Sequence, residues 1–499
     1  MRFPHRQLLA GLLLAPLLSG CFASDGGTSS QGASSDGARL RAVLAFPPRQ
    51  NYSPYGEDAF SLSRLGVAEG LTRLDANGTA VPALAEAWSA ERDGRSWLFT
   101  LRQARFQDGT DVTPAAVAAA LTHATQADPA PAALSGVKLT AQPVGDRQVR
   151  VTTAEPDPVL PLRLSNPSLA VFAPKAYGKP ATVDPVGTGT GPFVLSKIAG
   201  MSSATLERFD DYWGGRAHAS GIDASFVADG TARANALRTG AADLAEAIPV
   251  AQIASLDEGA LRRTATARLT SLQLNTKAGP FADPAVRAAA RAAIDPSVLA
   301  KDVFEGYADP AQGLFGPALN WAAGKRVQPS GRAKAAAVSG TAITVATYNN
   351  RPELPETAQV LQQQLEKAGF KVKLEVREVS RLEGDALEGK FDAFVGARNM
   401  MLNTGDPVSV LANDYTCDGG YNLALLCDKK VDQAVAAAQA ASDPATRQNA
   451  VMAAEAAILS TDAVVPLVHQ QAVVGAGTSV RGVQLDPYER LLVGAGTRR

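Results

Sequence analysis

Cysteine is scarce in this chain: three in 499 residues, at positions 21, 417 and 427. Histidine is nearly as rare, with His5, His123, His218 and His469 spread over the whole length. No paired Cys/His set has the spacing of a metal site, so no cofactor is expected. Charge of one sign is also lacking. Lys and Arg number 48 against 49 Asp and Glu, for a net charge of −1, which offers no ground for a nucleic-acid partner or an anionic membrane surface. Catalytic signatures are missing too: there is no G-x-S-x-G, Walker A or H-E-x-x-H pattern. Pairs such as Asp210-Asp211 are ordinary surface charges. An enzyme is therefore the least supported class.

The apolar run Leu8–Leu18 is too short to span a bilayer, which needs ~20 residues. It follows Arg2 and Arg6 and leads into Leu18-Ser19-Gly20-Cys21. That order predicts a secretory signal over 1–20, cleaved before a lipid-carrying Cys21, with an ordinary signal peptide as the alternative. Residues 21–38 are Gly/Ser-rich and are expected to form a flexible tether. The rest exceeds the ~250–300 residues at which one core stops growing, so at least two lobes are expected.

Pro82 to Val112 organises the chain. Trp97, Phe99 and Leu101 alternate as in a half-buried strand. Asp93-Gly94 before it and Asp108-Gly109 after it read as turns. Thr113-Pro114 opens an alanine-rich helix, with Thr as N-cap and Pro at the first helical position. Strands at 137–141 and 148–153, joined at Gly145-Asp146, complete an α+β subdomain over about 75–182. Upstream, Leu40–Phe46 reads as an opening strand, Asn51–Tyr55 as a polar aromatic loop and Phe60–Leu71 as helical.

The spaced positions Pro82, Leu84-Ala85, Trp88, Asp93-Gly94, Trp97-Leu98-Phe99-Thr100-Leu101-Arg102 and Phe106-Gln107-Asp108-Gly109 resemble the signature of the family-five solute-binding proteins of ABC importers. Later stretches follow the family's order. Gly187 to Phe193 reads GTGTGPF. Its G-x-G-x-G spacing and entry into a strand, not a helix, argue against a dinucleotide loop. Asp211–Gly215 resembles the family's Y-W-G element, and Asn235–Asp243 its L-x-x-G-x-x-D turn. Leu272–Thr276 resembles the strand that crosses to the second lobe, and Asp283-Pro284 starts a helix there.

Strand 343–346, helix 356–368 and strand 370–376 make a parallel β-loop-α-β unit, whose strand C-termini are the usual ligand crevice. Tyr348 and Arg351 stand at that position. Arg351 reads equally as a solvated or interlobe charge. Strand 391–396 is followed by the polar segment 397–407, with Arg398, Asn403 and Asp406. Dipeptide-binding members place a D-P here whose Asp pairs with the peptide's amino group. Asp406 also reads as the cap of a helix at Pro407. These five residues and Tyr55 are the candidate substrate-binding set.

Cys417 and Cys427 are expected to pair, since an exported protein meets oxidising conditions. Dipeptide-type members carry a similar cystine. Val464–Val474 is an apolar segment returning to the first lobe, with His469 as a core or cleft-edge histidine.

The resemblance implies an α/β, two-lobed periplasmic-binding-protein-like fold of type II, with the extra subdomain in lobe one. Lobe one would span 39–270 plus 472–499, and lobe two 271–471. It implies a lipid-anchored, exported, monomeric protein that delivers a short peptide or amino-acid-derived solute to ABC permease and ATPase subunits. A nickel-chelate binder is the alternative, favoured by Tyr348 to Pro355. Against it, Thr122–Val137 has no Arg or Trp, Ser165–Ser168 precedes Val171, and Val408 stands where a histidine belongs. A ligand-sensing relay without transport also fits.

Overall fold

Two long strands, Leu261–Leu274 and Val464–Ala476, run antiparallel through the middle of the molecule. The second is rich in β-branched residues, and both are buried along most of their length, as central strands are. Their pairing is interrupted between Ala265 and Leu269. The computed structural model describes residues 37–92, 94–178, 182–349, 351–401 and 404–499. The expected signal segment, Cys21, almost all of the expected tether and Asn403 lie outside the described residues.

Among the described residues the pair is the centre of an eleven-stranded sheet. On one side, Leu261–Leu274 joins Ala393–Asn399, then Ala342–Tyr348 and Lys371–Arg377, the last three mutually parallel. On the other side, Val464–Ala476 joins Leu244–Ala245, then the parallel strands Arg39–Leu44 and Gly221–Phe226. Strands Ser203–Arg208 and Phe193–Ala199 close that edge. A separate four-stranded antiparallel sheet, Ala85–Ala90, Ser96–Leu101, Gln148–Thr153 and Leu139–Val144, carries the helix Pro114–Thr125. This is the α+β subdomain expected from the sequence.

Each sheet region buries its own apolar cluster. Leu40, Phe193, Leu206 and Ile222 form one, Phe99, Phe106, Leu121 and Val149 a second, and Phe281, Val345, Leu361 and Phe370 a third. The fourth packs Leu269 and Val464 against Val410, Leu411, Tyr415 and Met452.

Caps formed where expected: Thr113 accepts from Ala116 N, and Asp283 from Ala285 N. The cystine Cys417–Cys427 is formed. Two expectations need correction. Helical spacing over 60–71 overreaches, since the helix Asp58–Arg64 ends at a turn in which Gly66 has φ 67°. There the main chain packs against the GTGTGP loop, so closely that a Cβ on Gly191 would lie 2.2 Å from the Gly66 carbonyl oxygen. Those glycines serve close backbone approach. The second-lobe strand also begins at Leu261, well before Leu272.

Candidate functional site

Tyr348 ends its strand, and its hydroxyl accepts from Ala397 N at 3.2 Å across the neighbouring parallel strand. Its ring lies 6.2 Å from that of Phe394. Arg351 follows in the loop before the helix Glu353–Lys367. Its side chain is only 27% exposed, and its ionic contact is Glu353 at 3.6 Å. Among the described residues its guanidinium donates no hydrogen bond. The like charge of Arg268, then burial, holds its pKa below the ordinary value.

Arg268 comes from the central strand and meets Glu489, with Nη2 to Oε2 at 2.6 Å. Asn399 Nδ2 donates to the same oxygen at 3.1 Å. Arg64 Nε donates to the Glu489 main-chain carbonyl at 2.8 Å and pairs with Glu246 at 3.3 Å. Burial alone would raise the Glu489 carboxyl. The charge and hydrogen bond of Arg268, with Arg351 and Arg64 behind, bring it down to about 2. Three arginines and three carboxylates from both halves of the sheet therefore converge at the strand C-termini. Arg351 is the least committed of the cations.

Arg398 sits on the next strand, where both arms bond Asp414, at 2.8 and 3.0 Å. Its guanidinium lies 4.6 Å from the Tyr421 ring centroid. Tyr421 belongs to the loop closed by the cystine. Burial, then Glu383, pushes its phenol up.

Asp406 has other company than the sequence suggested. It is 4% exposed, and its two oxygens accept from Arg447 at 3.1 and 2.6 Å. Its side chain makes no capping bond to the helix Pro407–Tyr415. The carboxylate expected to meet a ligand's amino group is already matched by a cation of the chain itself. Tyr55 stacks on His123, with its hydroxyl 2.6 Å from His123 Nδ1. The His123 ring is also against Tyr177. His469 is buried, and burial, then Arg326, lowers its pKa to about 4.

The end of the parallel unit thus gathers Tyr348 and Arg351, with Arg398 on the adjoining strand. Reading along the sequence missed Arg268, Glu489, Asn399 and Arg64. Nothing local marks Glu489, whose partners lie far away in the chain. A stricter reading of 261–271 as strand would have placed Arg268 on a central element. Among the described residues no three His, Cys, Asp or Glu side chains gather as a metal site. A depression of about 710 Å³ lies at the opposite end of the same strands, lined by Ile343, Lys371 and Asp392. It holds none of the candidate residues.

The profile of the bacterial extracellular solute-binding proteins, family 5, matches residues 79–422. Among curated relatives, the glutathione-binding protein GsiB of Salmonella typhimurium is 29% identical over 446 residues, 84% of this chain and 86% of the relative. GsiB of Escherichia coli O157:H7 is 29% identical over 449 residues, with the same coverage. Among solved structures, NikA from Brucella suis in complex with Fe(III)-EDTA has a TM-score of 0.78 at 23% identity, covering 92% of this chain and 99% of that one. The dipeptide-binding protein of Pseudoalteromonas sp. SM9913 in complex with Met-Leu has a TM-score of 0.76 at 18% identity, with the same coverage. Profile, relatives and fold agree with the motif order read from the sequence, and the chain belongs to the family-5 bacterial extracellular solute-binding proteins, the substrate-binding components of ABC importers.

Proposed function

We propose that this protein captures a short peptide or amino-acid-derived solute through its carboxylate and hands it to an ABC permease. The observation that carries the reading is Arg351: mostly buried, at the C-terminal end of a parallel unit, and without a hydrogen bond among the described residues. A desolvated guanidinium with unused donors gains most from a carboxylate, which it can grip with two arms. The relatives named for glutathione and the fold neighbour holding Met-Leu support the ligand class. Tyr348 would wall the site, and Arg398 would hold Tyr421 beside it.

The crossings near 270 and 471 would divide the lobes, with 39–270 plus 472–499 facing 271–471. The interrupted pairing at 265–269 supports the first crossing. Cys21 would anchor the exported, monomeric protein through lipid. No catalytic step is part of this reading.

Native mass spectrometry of the purified protein, with metal analysis of the same sample, tests it. A retained series of short-peptide masses without metal is the expected result. Titration with glutathione, Ala-Ala and Met-Leu then ranks ligands. Stoichiometric nickel with a small organic chelator would replace the peptide reading.

A further inference from the structure

Glu489 lies outside every motif that carries the family resemblance. Its backbone is left-handed, with φ 60°, a conformation that non-glycine residues keep only where their surroundings impose it. Those surroundings are visible. Asp486 accepts from the backbone N–H groups of Tyr488 at 3.0 Å, Arg490 at 2.6 Å and Leu491 at 3.1 Å, which folds the chain around Glu489. Tyr488 is buried, and its hydroxyl donates to Ala76 O at 3.2 Å. The Arg490 guanidinium is buried on the Ser165 hydroxyl at 2.9 Å and Met401 O at 3.0 Å. With both neighbours fastened, the Glu489 carboxylate is delivered to Arg268 and Asn399.

The consequence is for the arginines. Arg268 gives its Nε and Nη2 to Glu489, at 3.5 and 2.6 Å. Arg351, within electrostatic reach of it, keeps only the 3.6 Å contact with Glu353. We propose that Glu489 is the positioning residue of the crevice. By neutralising and orienting Arg268, it leaves Arg351 as the single guanidinium offered to a ligand, so that the crevice receives one carboxylate and disfavours a dianion. This rests on the reading of Arg351 given under Proposed function. Without Glu489, two guanidiniums would share one space with Glu353 as their remote counter-charge, and such a pair suits a tetrahedral dianion.

Thermal unfolding of the full chain tests this without knowledge of the natural ligand. Wild type, Glu489→Gln and Glu489→Asp are melted in sodium sulfate and in sodium chloride of equal ionic strength. Sulfate, an excluded anion, should raise the melting temperature of wild type and of Glu489→Asp by the same small amount over chloride. Glu489→Gln should gain about 3 °C or more beyond that common shift, by mass action on a newly opened dianion site. A sulfate gain in Glu489→Gln no larger than that of wild type overturns the proposal.

Should Glu489→Gln fail to fold, a double-mutant cycle carries the test. In Arg268→Gln, the released Glu489 turns to Arg351. Arg351→Gln should then lower the melting temperature several degrees more in that background than in wild type. Additive shifts overturn the proposal. If sulfate behaves as expected but no peptide binds the wild type, the ligand reading falls and the positioning role stands. If peptides bind through Arg351 but sulfate gives Glu489→Gln nothing beyond the common shift, only the positioning role falls.

Discussion

Arg268 and Glu489, 221 positions apart, meet with Nη2 2.6 Å from Oε2, and this contact ties the central strand to the turn at 487–489. Arg351, within reach of the Arg268 charge, keeps only the 3.6 Å contact with Glu353. That asymmetry between two neighbouring arginines is the basis of the functional reading.

Arg351→Gln should weaken binding of the retained ligand at least about tenfold, or ~1.4 kcal/mol, as for the loss of a charge-assisted bond. Stability should change little, because the guanidinium donates to nothing among the described residues. Calorimetric titration beside a urea melt measures both. Unchanged affinity would remove Arg351 from the site.

Asp406→Asn is expected to act on stability. Arg447 donates to Asp406 and also to the carbonyls of Ala438, Gln439 and Ala441 at the end of the helix Lys429–Ala440. Removing one partner of a buried pair costs roughly 3–5 kcal/mol, and the asparagine's remaining hydrogen bond brings the expected loss towards ~3. Ligand affinity should move less than about twofold by the same reasoning. A tenfold loss of affinity in the folded variant would instead return Asp406 to the amino-group role expected from the sequence.

Two desolvated groups, the half-buried Glu69 and the buried His469, should give opposed pH dependence. Glu69 accepts from the Tyr212 hydroxyl and the Trp213 indole, both at 2.8 Å, yet burial outweighs these bonds and raises its carboxyl to about 7. Unfolded, it titrates near its ordinary value of 4.5. The folded form therefore holds the extra proton between these values, and its contribution to stability falls as pH rises from 4.5 to 7. His469 does the reverse. Folded it titrates at about 4 and unfolded at 6.5, so its contribution rises with pH across that window. The difference in unfolding free energy between wild type and Glu69→Gln should accordingly decline from pH 4.5 to 7. A flat difference would contradict the raised carboxyl.

Unfolded, unreduced Cys21→Ser protein should show no free thiol, since Cys417 and Cys427 are paired. Replacing both by serine should cost roughly 2–3 kcal/mol in the loop-entropy account. Two reactive thiols in the unreduced sample would refute the cystine.

Gly191→Ala should destabilise by about 2–4 kcal/mol, because the added Cβ meets backbone that has nowhere to move. A neutral result in a urea melt would mean that the GTGTGP loop shifts freely against Gly66.

Short-range features were legible from residue order. The Trp97–Leu101 strand, the Thr113 and Asp283 caps and the β-loop-α-β unit of 342–377 are set by side-chain period, turn residues and capping chemistry within a few positions. The order of spaced motifs was enough to identify the family, and the family implied the two-lobed fold and the location of the crevice. The position of Tyr348 and Arg351 at a strand C-terminus was legible because strand ends in parallel units are predictable from one such unit alone. What a charge does there was beyond that reach. Asp406 and Arg351 look alike in the sequence, as charged loop residues at strand ends. Only the folded chain brings Arg447 to Asp406 and Glu489 to Arg268, and leaves Arg351 without an equivalent partner. The reason is physical: a desolvated charge takes its character from whichever opposite charge reaches it within a few ångströms. Here those partners come from distant segments that tertiary packing alone brings together.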